Sequence, residues 1–162
     1  MKKKRWILFC LALACVPAVA VLAFVLRDVW SNSAALRGFD RQFSTLSHPA
    51  NTRFIARRKC VGLLCGGGNH CGFFVGELRA FSGEWDEAAK AYADRTIISP
   101  IDDELVPVRA LRASAAFTGR ERLPWDLATL EGWEADGPDE AEQLYIVYVF
   151  PSCPANLDPR CH

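Results

Sequence analysis

Charged residues are absent from a long stretch near the start of the sequence: no Asp, Glu, Lys or Arg occurs between Trp6 and Leu26, although such residues make up 23% of the chain. An α-helix rises about 1.5 Å per residue, so this run would extend about 32 Å, and the hydrocarbon core of a bilayer is about 30 Å thick. The lack of charge therefore argues against a water-exposed segment and predicts a transmembrane helix over residues 6–26.

An excess of basic residues is also lacking outside this segment. The chain has 19 basic and 19 acidic residues, and setting aside Lys2–Arg5, Arg27 and Asp28 leaves 14 basic and 18 acidic, a net charge of −4. Proteins that bind nucleic acid need a basic face, so we expect no nucleic-acid partner. The glycine run Gly66–Gly68 lacks the following Lys-Ser or Lys-Thr of a phosphate-binding loop, and we predict no cofactor.

The basic cluster Lys2–Arg5 precedes the apolar run, whereas Arg27 and Asp28 beyond it nearly cancel. Cytoplasmic flanks of membrane helices carry the excess of Lys and Arg, so the N-terminus is predicted to stay in the cytoplasm. Residues 1–30 would form a membrane anchor and residues 31–162 an extracytoplasmic domain. This organisation predicts a single-pass protein of the bacterial inner membrane with its C-terminal domain in the periplasm.

Two processed forms are alternatives to a permanent anchor. Ala18-Val19-Ala20 has small residues where a signal peptidase cleaves, but Val21–Leu26 continues the apolar run beyond that site. Cys15 follows Leu13-Ala14 as in a lipid-attachment site, but Val16 is apolar where a polar residue would be expected. All three alternatives place the same domain outside the cytoplasm.

The chain has seven cysteines, of which Cys10 and Cys15 lie in the apolar run. An exported domain is in an oxidising compartment, where disulfides are the default. The five candidates in the domain are Cys60, Cys65, Cys71, Cys153 and Cys161. Five is an odd number, so at least one is unpaired or pairs with another molecule. We predict the pair Cys71–Cys161, because a proline-rich tail of this length can fold back to the start of a central strand.

Four segments predict strands, and the first of them, Arg53–Leu64, would hold one or two short ones. Residues 73–81 and 144–150 are apolar at consecutive positions, which is typical of central strands buried on both faces. Residues 104–117 predict a further strand, which Pro107 would bend or place at an edge.

Helical spacing of apolar residues predicts one short helix that Ser33 caps and Pro49 ends, and a second one from Trp85 to Tyr92. Residues 119–142 are acidic and irregular, as in a long surface loop. The order of elements predicts an α+β domain with a largely antiparallel sheet and two short helices after the transmembrane helix.

Functional residue types are densest between Gly67 and Arg79. The strings G-N-H-C and F-F-V-G-E-L-R in this segment resemble a group of small exported or membrane-anchored bacterial proteins to which no activity is assigned. The resemblance covers residues 48–94 and extends more weakly to the ending Leu157–Cys161. It implies a shared fold and an envelope location, and it transfers no mechanism.

Three interpretations of this segment are open. In the first, Cys71 forms a disulfide that fastens the glycine turn, His70 is a turn residue, and Glu77 pairs with Arg79 on one face of the strand. In the second, Cys71 is the nucleophile of a thiol-dependent hydrolase or transferase, with His70 or His48 as base and Glu77 as a further candidate. In the third, zinc binds to Cys60, Cys65, His70 and Cys71.

The first interpretation predicts a protein that is not an enzyme. It would be an interaction or structural module of the cell envelope, anchored in the lipid bilayer through Trp6–Leu26, with another envelope protein as a partner. The second interpretation predicts an enzyme, and the third a zinc-binding module.

Overall fold

The computed structural model describes residues 2–62, 71–113, 143–153 and 157–161, with side chains from Cys15 onward except at residues 71, 152 and 153. It has the predicted α+β architecture, with an N-terminal apolar helix, a second helix and antiparallel sheets. The elements in chain order are α1 (Lys2–Phe43), β1 (Thr52–Gly62), β2 (Cys71–Phe81), α2 (Trp85–Ala93), β3 (Thr96–Ile98), β4 (Leu105–Pro107), β5 (Arg109–Arg112), β6 (Gln143–Val149), β7 (Ser152–Cys153) and a 3₁₀ helix (Pro159–Cys161).

The main sheet has the strand order β1-β2-β6-β5, and all of its pairings are antiparallel. The short strand β7 follows β6 in the chain and pairs with the start of β2. β3 and β4 form a separate two-stranded sheet. The central strands are therefore β2 and β6, and β1 lies at an edge with Arg58 and Lys59 exposed, which discourages pairing with another chain.

The two central strands are buried on both faces. One face packs against α1 and α2 through Phe73, Val75, Val147 and Val149. The opposite face contains Phe74, Leu78, Ile146 and Tyr148. Phe74, Val75 and Ile146 have no exposed surface, which confirms the strands that consecutive apolar residues predict.

Steric crowding explains why residue 76 of β2 is a glycine. A Cβ atom at this position would lie 2.7 Å from the ring of Phe74 and 3.0 Å from the Cβ of Tyr148. Real side chains do not approach so closely, so glycine lets the ring of Phe74 fold over the strand. The glycine of the F-F-V-G-E-L-R string therefore belongs to core packing.

α1 is one continuous helix of 42 residues, and it crosses the predicted boundary between anchor and domain at residue 30. Pro17 lies inside it, as membrane helices tolerate. Its described side chains from Cys15 to Leu26 are apolar and exposed, except for the half-buried Val25, whereas Phe39 and Phe43 near its end are fully buried against the sheet. The helix is long and apolar enough to cross a membrane.

The prediction of a separate helix from Ser33 to Pro49 is wrong in both bounds. Ser33 lies within α1, where its hydroxyl donates to the carbonyl of Val29, so no helix begins there. The helix ends at Phe43, and the hydroxyl of Ser44 donates to a carbonyl of the last turn. The predicted first short helix is thus the end of α1, and the second one is α2.

Within the strand predicted over residues 104–117, the described residues form two short strands, β4 and β5, separated at Val108, and residues 114–117 lie outside the described part of the chain. Pro107 is the last residue of β4, and the N–H of Val108 donates to the carbonyl of Arg95 instead of to a strand. The acidic loop predicted over residues 119–142 lies outside the described residues.

Candidate functional site

A buried ion pair lies in the second half of β2. Glu77 and Arg79 are two residues apart, so both side chains project from the face that packs against α1. The Nη1 atom of Arg79 lies 2.6 Å from Oε2 of Glu77, and the two residues are only 8% and 5% exposed. Charged side chains are rarely so buried unless they are paired. The ion pair predicted on this strand face is confirmed.

Arg57 of β1 connects this pair to α1. Its Nη1 atom lies 3.5 Å from Oε1 of Glu77, and its Nη2 atom lies 2.8 Å from a carboxylate oxygen of Asp40. The same Nη2 donates to the backbone carbonyl of Asp40, and Lys59 pairs with the Asp40 carboxylate at 2.6 Å. One guanidinium therefore bridges an acidic residue of the helix and an acidic residue of the sheet.

His48, in the loop between α1 and β1, connects Glu77 to two buried tyrosines. Its Nε2 atom lies 3.5 Å from Oε2 of Glu77, and its Nδ1 atom lies 2.8 Å from the hydroxyl of Tyr92. The hydroxyls of Tyr92 and Tyr145 are 3.0 Å apart. A neutral imidazole protonated on Nε2 fits these distances, because Nδ1 then accepts from Tyr92, which accepts from Tyr145. The Glu77 network consists of Glu77, Arg79, Arg57, His48, Tyr92 and Tyr145.

Their surroundings keep the imidazole of His48 and the phenol of Tyr92 neutral, although both belong to the same network as the ion pairs. Burial lowers the pKa of His48 below its usual 6.5, Arg79 and Arg57 lower it further, and Glu77 opposes them. Burial, followed by the hydrogen bond with Tyr145, raises the pKa of Tyr92. The imidazole and the phenol are therefore uncharged near pH 7.

The Glu77 network connects several strands, a helix and a loop of the domain. It joins β1, β2, α2, β6 and the loop after α1, and Arg57 extends it to Asp40 of α1. Each carboxylate oxygen of Glu77 faces a guanidinium, and both ring nitrogens of His48 face a partner. A buried phenol with a raised pKa is a weak nucleophile. The geometry favours a structural role over proton transfer to a substrate.

The stability of the domain is expected to fall as the pH drops below about 6.5, and His48→Gln is expected to remove part of that dependence. The pKa of His48 is lower in the folded state than its usual 6.5, so the unfolded chain binds the proton more readily. The contribution of His48 is then complete above the unfolded-state pKa and is lost as the pH falls through the folded-state pKa. Urea unfolding at a series of pH values from about 8 to about 5 measures this difference.

Tyr92→Phe is the matched control, because it removes the hydrogen bond to Nδ1 and keeps the imidazole. We expect Tyr92→Phe to be destabilised at every pH and to retain a dependence that His48→Gln lacks. Identical pH profiles for the wild type and His48→Gln would contradict the assignment of this titration to His48.

The structure brings two of the sequence-predicted candidates together and separates them from a third. His48 and Glu77 are in contact, whereas Cys71 is six residues before Glu77 on β2, about 20 Å away at about 3.3 Å per residue. Cys65 and His70 lie outside the described residues, and so does the side chain of Cys71. The thiol nucleophile and the zinc site stay predictions.

Two of the cysteines have described side chains in the domain. Cys60 is a half-buried free thiol, and burial raises its pKa to about 11, so it is almost entirely protonated at neutral pH. Cys161 is buried and disulfide-bonded, and its partner sulfur lies outside the described side chains.

The backbone places two candidate partners close to the start of β2. Cys71 is paired in register with Cys153 of β7. The 3₁₀ helix that contains Cys161 lies against the end of β1, because a Cβ atom on Gly62 would be 2.8 Å from the carbonyl oxygen of Arg160. Gly62 in turn pairs with the second residue of β2. The Cys71–Cys161 bond stays a prediction that this placement allows.

A second polar cluster, which the sequence analysis missed, fastens the C-terminal segment to α1. Asp158 is fully buried, accepts a hydrogen bond from Asn32 at 2.8 Å and pairs with Arg160 at 2.6 Å. The hydrogen bond from Arg160, with further help from Asn32, lowers the pKa of Asp158 to about 2. The backbone N–H of Leu157 donates to the carboxylate of Asp28 at 2.9 Å. These five residues form the tail clamp.

The sequence contained a signal for the tail clamp. Asn32 lies seven residues before Phe39, which is two helical turns, so a polar residue stands on the apolar stripe of the helix. Buried polar side chains need partners, and Asp158 supplies one.

Two clefts lie beside β5. One has a volume of about 260 Å³ between Ser99, Glu104 and Phe150, and the other has a volume of about 350 Å³ between α2 and β5. Arg109 lines both clefts, and neither is lined by His48 or Glu77. The Glu77 network therefore does not open into either cleft, apart from Tyr92, which lines the second.

Comparison with protein-family models, with curated proteins and with solved structures gives no match.

Proposed function

We propose that this chain is a single-pass bacterial envelope protein whose anchor holds a non-enzymatic interaction or structural module at the membrane surface. In this proposal the N-terminus is cytoplasmic, the domain is periplasmic, and the module contacts another envelope protein. The resemblance of its G-N-H-C and F-F-V-G-E-L-R strings to small exported bacterial proteins agrees with such a location.

The observation that carries the proposal is the continuity of α1. The helix leaves the apolar segment at Leu26 without a break and ends in the core of the domain, where Phe39 and Phe43 are fully buried. A flexible tether would need an unstructured linker, whereas the small and polar stretch Ser31–Ala35 is part of the continuous helix. A domain fastened to its membrane helix keeps a set height and orientation, which suits a module that presents a surface to a neighbour.

Polar contacts reinforce this attachment at two levels of the helix. The tail clamp binds α1 between Asp28 and Asn32, near the end of the apolar segment. Arg57 and Lys59 of β1 bind α1 at Asp40, about three turns further on. Among the described residues, the buried charges and their ion-pair partners thus attach α1 to the domain and join strands, which favours a structural module over an enzyme.

We expect the protein to remain in the membrane fraction at its full mass after carbonate extraction, because a helix with 21 consecutive uncharged residues is costly to remove from the bilayer. Mass spectrometry of the extracted membranes checks the intact N-terminus. An alkaline phosphatase fused after His162 should be active, because that enzyme folds only outside the cytoplasm.

Two results would contradict this prediction. A soluble mature protein that begins at Val21 would establish a cleaved signal, and a lipid-modified Cys15 would establish a lipoprotein. An inactive phosphatase fusion, compared with the same fusion to a known periplasmic protein, would contradict the orientation.

The alternative function is that of a thiol-dependent hydrolase or transferase centred on Cys71, and it makes the opposite prediction about that cysteine. A structural module is expected to have Cys71 in a disulfide, and we predict its bond to Cys161. Non-reducing peptide mapping decides the pairing, and alkylation of the native and the denatured protein counts the accessible thiols. A free Cys71 with a lowered pKa would favour the enzyme.

The same mapping separates the remaining outcomes. A Cys71 peptide joined to Cys153 would contradict the predicted pair and retain the structural module. Bound zinc in the purified protein, lost on mutation of Cys71 but retained on mutation of Cys15, would favour the zinc-binding module.

A further inference from the structure

We infer that the lipid contact of this protein extends beyond the apolar run to Trp30 and Leu157, so that the C-terminal segment lies in the headgroup layer of the anchoring membrane. This inference rests on the proposed membrane anchor. It adds a second, non-contiguous segment of the chain to the surface that contacts lipid.

The first observation is the stripe of exposed apolar residues along α1. Val19, Leu22, Leu26 and Trp30 are spaced by three, four and four residues, so they lie along one side of the helix. Each is more than half exposed, and Trp30 is 79% exposed. The stripe therefore continues for one turn beyond Leu26, past the charged residues Arg27 and Asp28.

The second observation is the direction of Trp30. Phe39, which packs into the core, is nine residues further on, and nine steps of about 100° place the two side chains on opposite sides of the helix. The domain therefore does not cover Trp30. A large exposed aromatic side chain on this side of α1 fits an environment that is apolar at one end and wet at the other.

The position of Trp30 along the axis of α1 agrees with a membrane interface. It lies four residues beyond Leu26, about 6 Å further along the helix, and the interfacial layer on each side of the hydrocarbon core is about 5–8 Å thick. Trp6 stands at the other end of the apolar run, 24 residues earlier, which corresponds to about 36 Å. Tryptophan at both ends of a span is the usual aromatic belt of a transmembrane helix.

The third observation concerns the C-terminal segment, residues 157–161. It lies at about the same level along the axis of α1 as Trp30, but on another side of the helix. The N–H of Leu157 donates to Asp28, one turn or less beyond the apolar run, and the side chain of Leu157 is 51% exposed. Asp28 and Trp30 point about 160° apart around the helix. Exposed apolar side chains at one height on opposite sides of a helix fit a surrounding lipid layer, whereas a protein partner would contact one side.

The experiment uses the full-length chain reconstituted in phosphatidylcholine vesicles whose acyl chains are brominated either near the headgroup or near the methyl end. In a Trp6→Phe background, we expect shallow bromines to quench tryptophan fluorescence more strongly than deep bromines. Adding Trp30→Phe should abolish most of that quenching. Quenching that is unchanged by Trp30→Phe would overturn the inference for this side of the helix.

Leu157 is tested by Leu157→Trp in the Trp6→Phe/Trp30→Phe background, where shallow bromines should restore the quenching. The matched control is Leu105→Trp, because Leu105 is also apolar and 68% exposed, but it pairs with Ile98, whose backbone binds Gln42 near the far end of α1. We expect no quenching at Leu105. Equal quenching at both positions, or none at Leu157, would overturn the placement of the C-terminal segment.

Carbonate extraction of the same vesicles distinguishes a failure of the proposed membrane anchor from a failure of the interfacial contact alone. If the wild-type protein is extracted by carbonate, the membrane anchor and the inference built on it are both overturned. If it resists extraction while Trp30 and Leu157→Trp are unquenched, the anchor stands and only the interfacial contact is overturned.

Discussion

Glu77→Gln is expected to lower the free energy of unfolding by about 3–5 kcal/mol, the range found when one partner of a buried ion pair is removed. The carboxylate of Glu77 faces Arg79 at 2.6 Å and Arg57 at 3.5 Å, and it is almost entirely buried. Glutamine keeps the shape and removes the charge, so both guanidinium groups lose their common counter-ion. Urea unfolding of the detergent-solubilised chain, followed by tryptophan fluorescence, measures the loss.

Glu84→Gln is the matched control, because Glu84 is exposed and the substitution is the same. We expect a change within about 0.5 kcal/mol there. Arg79→Gln and the double variant complete a cycle, and a coupling energy of about 0.5–3 kcal/mol is expected for residues in one network. Equal effects of Glu77→Gln and Glu84→Gln would contradict the buried ion pair.

Ile146→Ala is expected to lower the free energy of unfolding by about 2–5 kcal/mol, because it removes buried methyl groups and leaves a cavity. Ile146 has no exposed surface and lies on β6 between Leu78 of β2 and Leu111 of β5. The same unfolding measurement applies, and the slope of the transition should stay unchanged if the denatured state is unaffected.

Ile98→Ala removes the same atoms from a side chain that is 51% exposed, and we expect it to cost less than about 1 kcal/mol. A loss at Ile146 no greater than at Ile98 would show that β6 is not the central strand that its sequence and its register indicate.

The local features of this protein could be predicted from the sequence, because each depends on neighbouring residues. Consecutive apolar residues identified β2 and β6 as central strands, the helical spacing after Trp85 identified α2, and the two-residue spacing of Glu77 and Arg79 identified an ion pair on one strand face. The charge-free run predicted a helix able to span a membrane, as α1 is.

The helix bounds could not be predicted in the same way. Ser33 is a good helix-capping residue, but in α1 its hydroxyl bonds to Val29 within the preceding turn, and the helix continues because Phe39 and Phe43 bury against the sheet. Packing energy from the tertiary structure outweighs a local capping preference that is worth about 1 kcal/mol.

The partners of the polar residues were decided by the tertiary structure alone. His48 is 29 residues from Glu77, and Asn32 is 126 residues from Asp158, so neither contact can be predicted from the spacing of neighbouring residues. Sheet pairing brings Tyr92 and Tyr145 together, and the return of the C-terminal segment to α1 buries Asp158. The sequence by itself determined which segments are apolar and where charge is absent. The fold decided which charges meet, because burial away from water makes each of these contacts necessary.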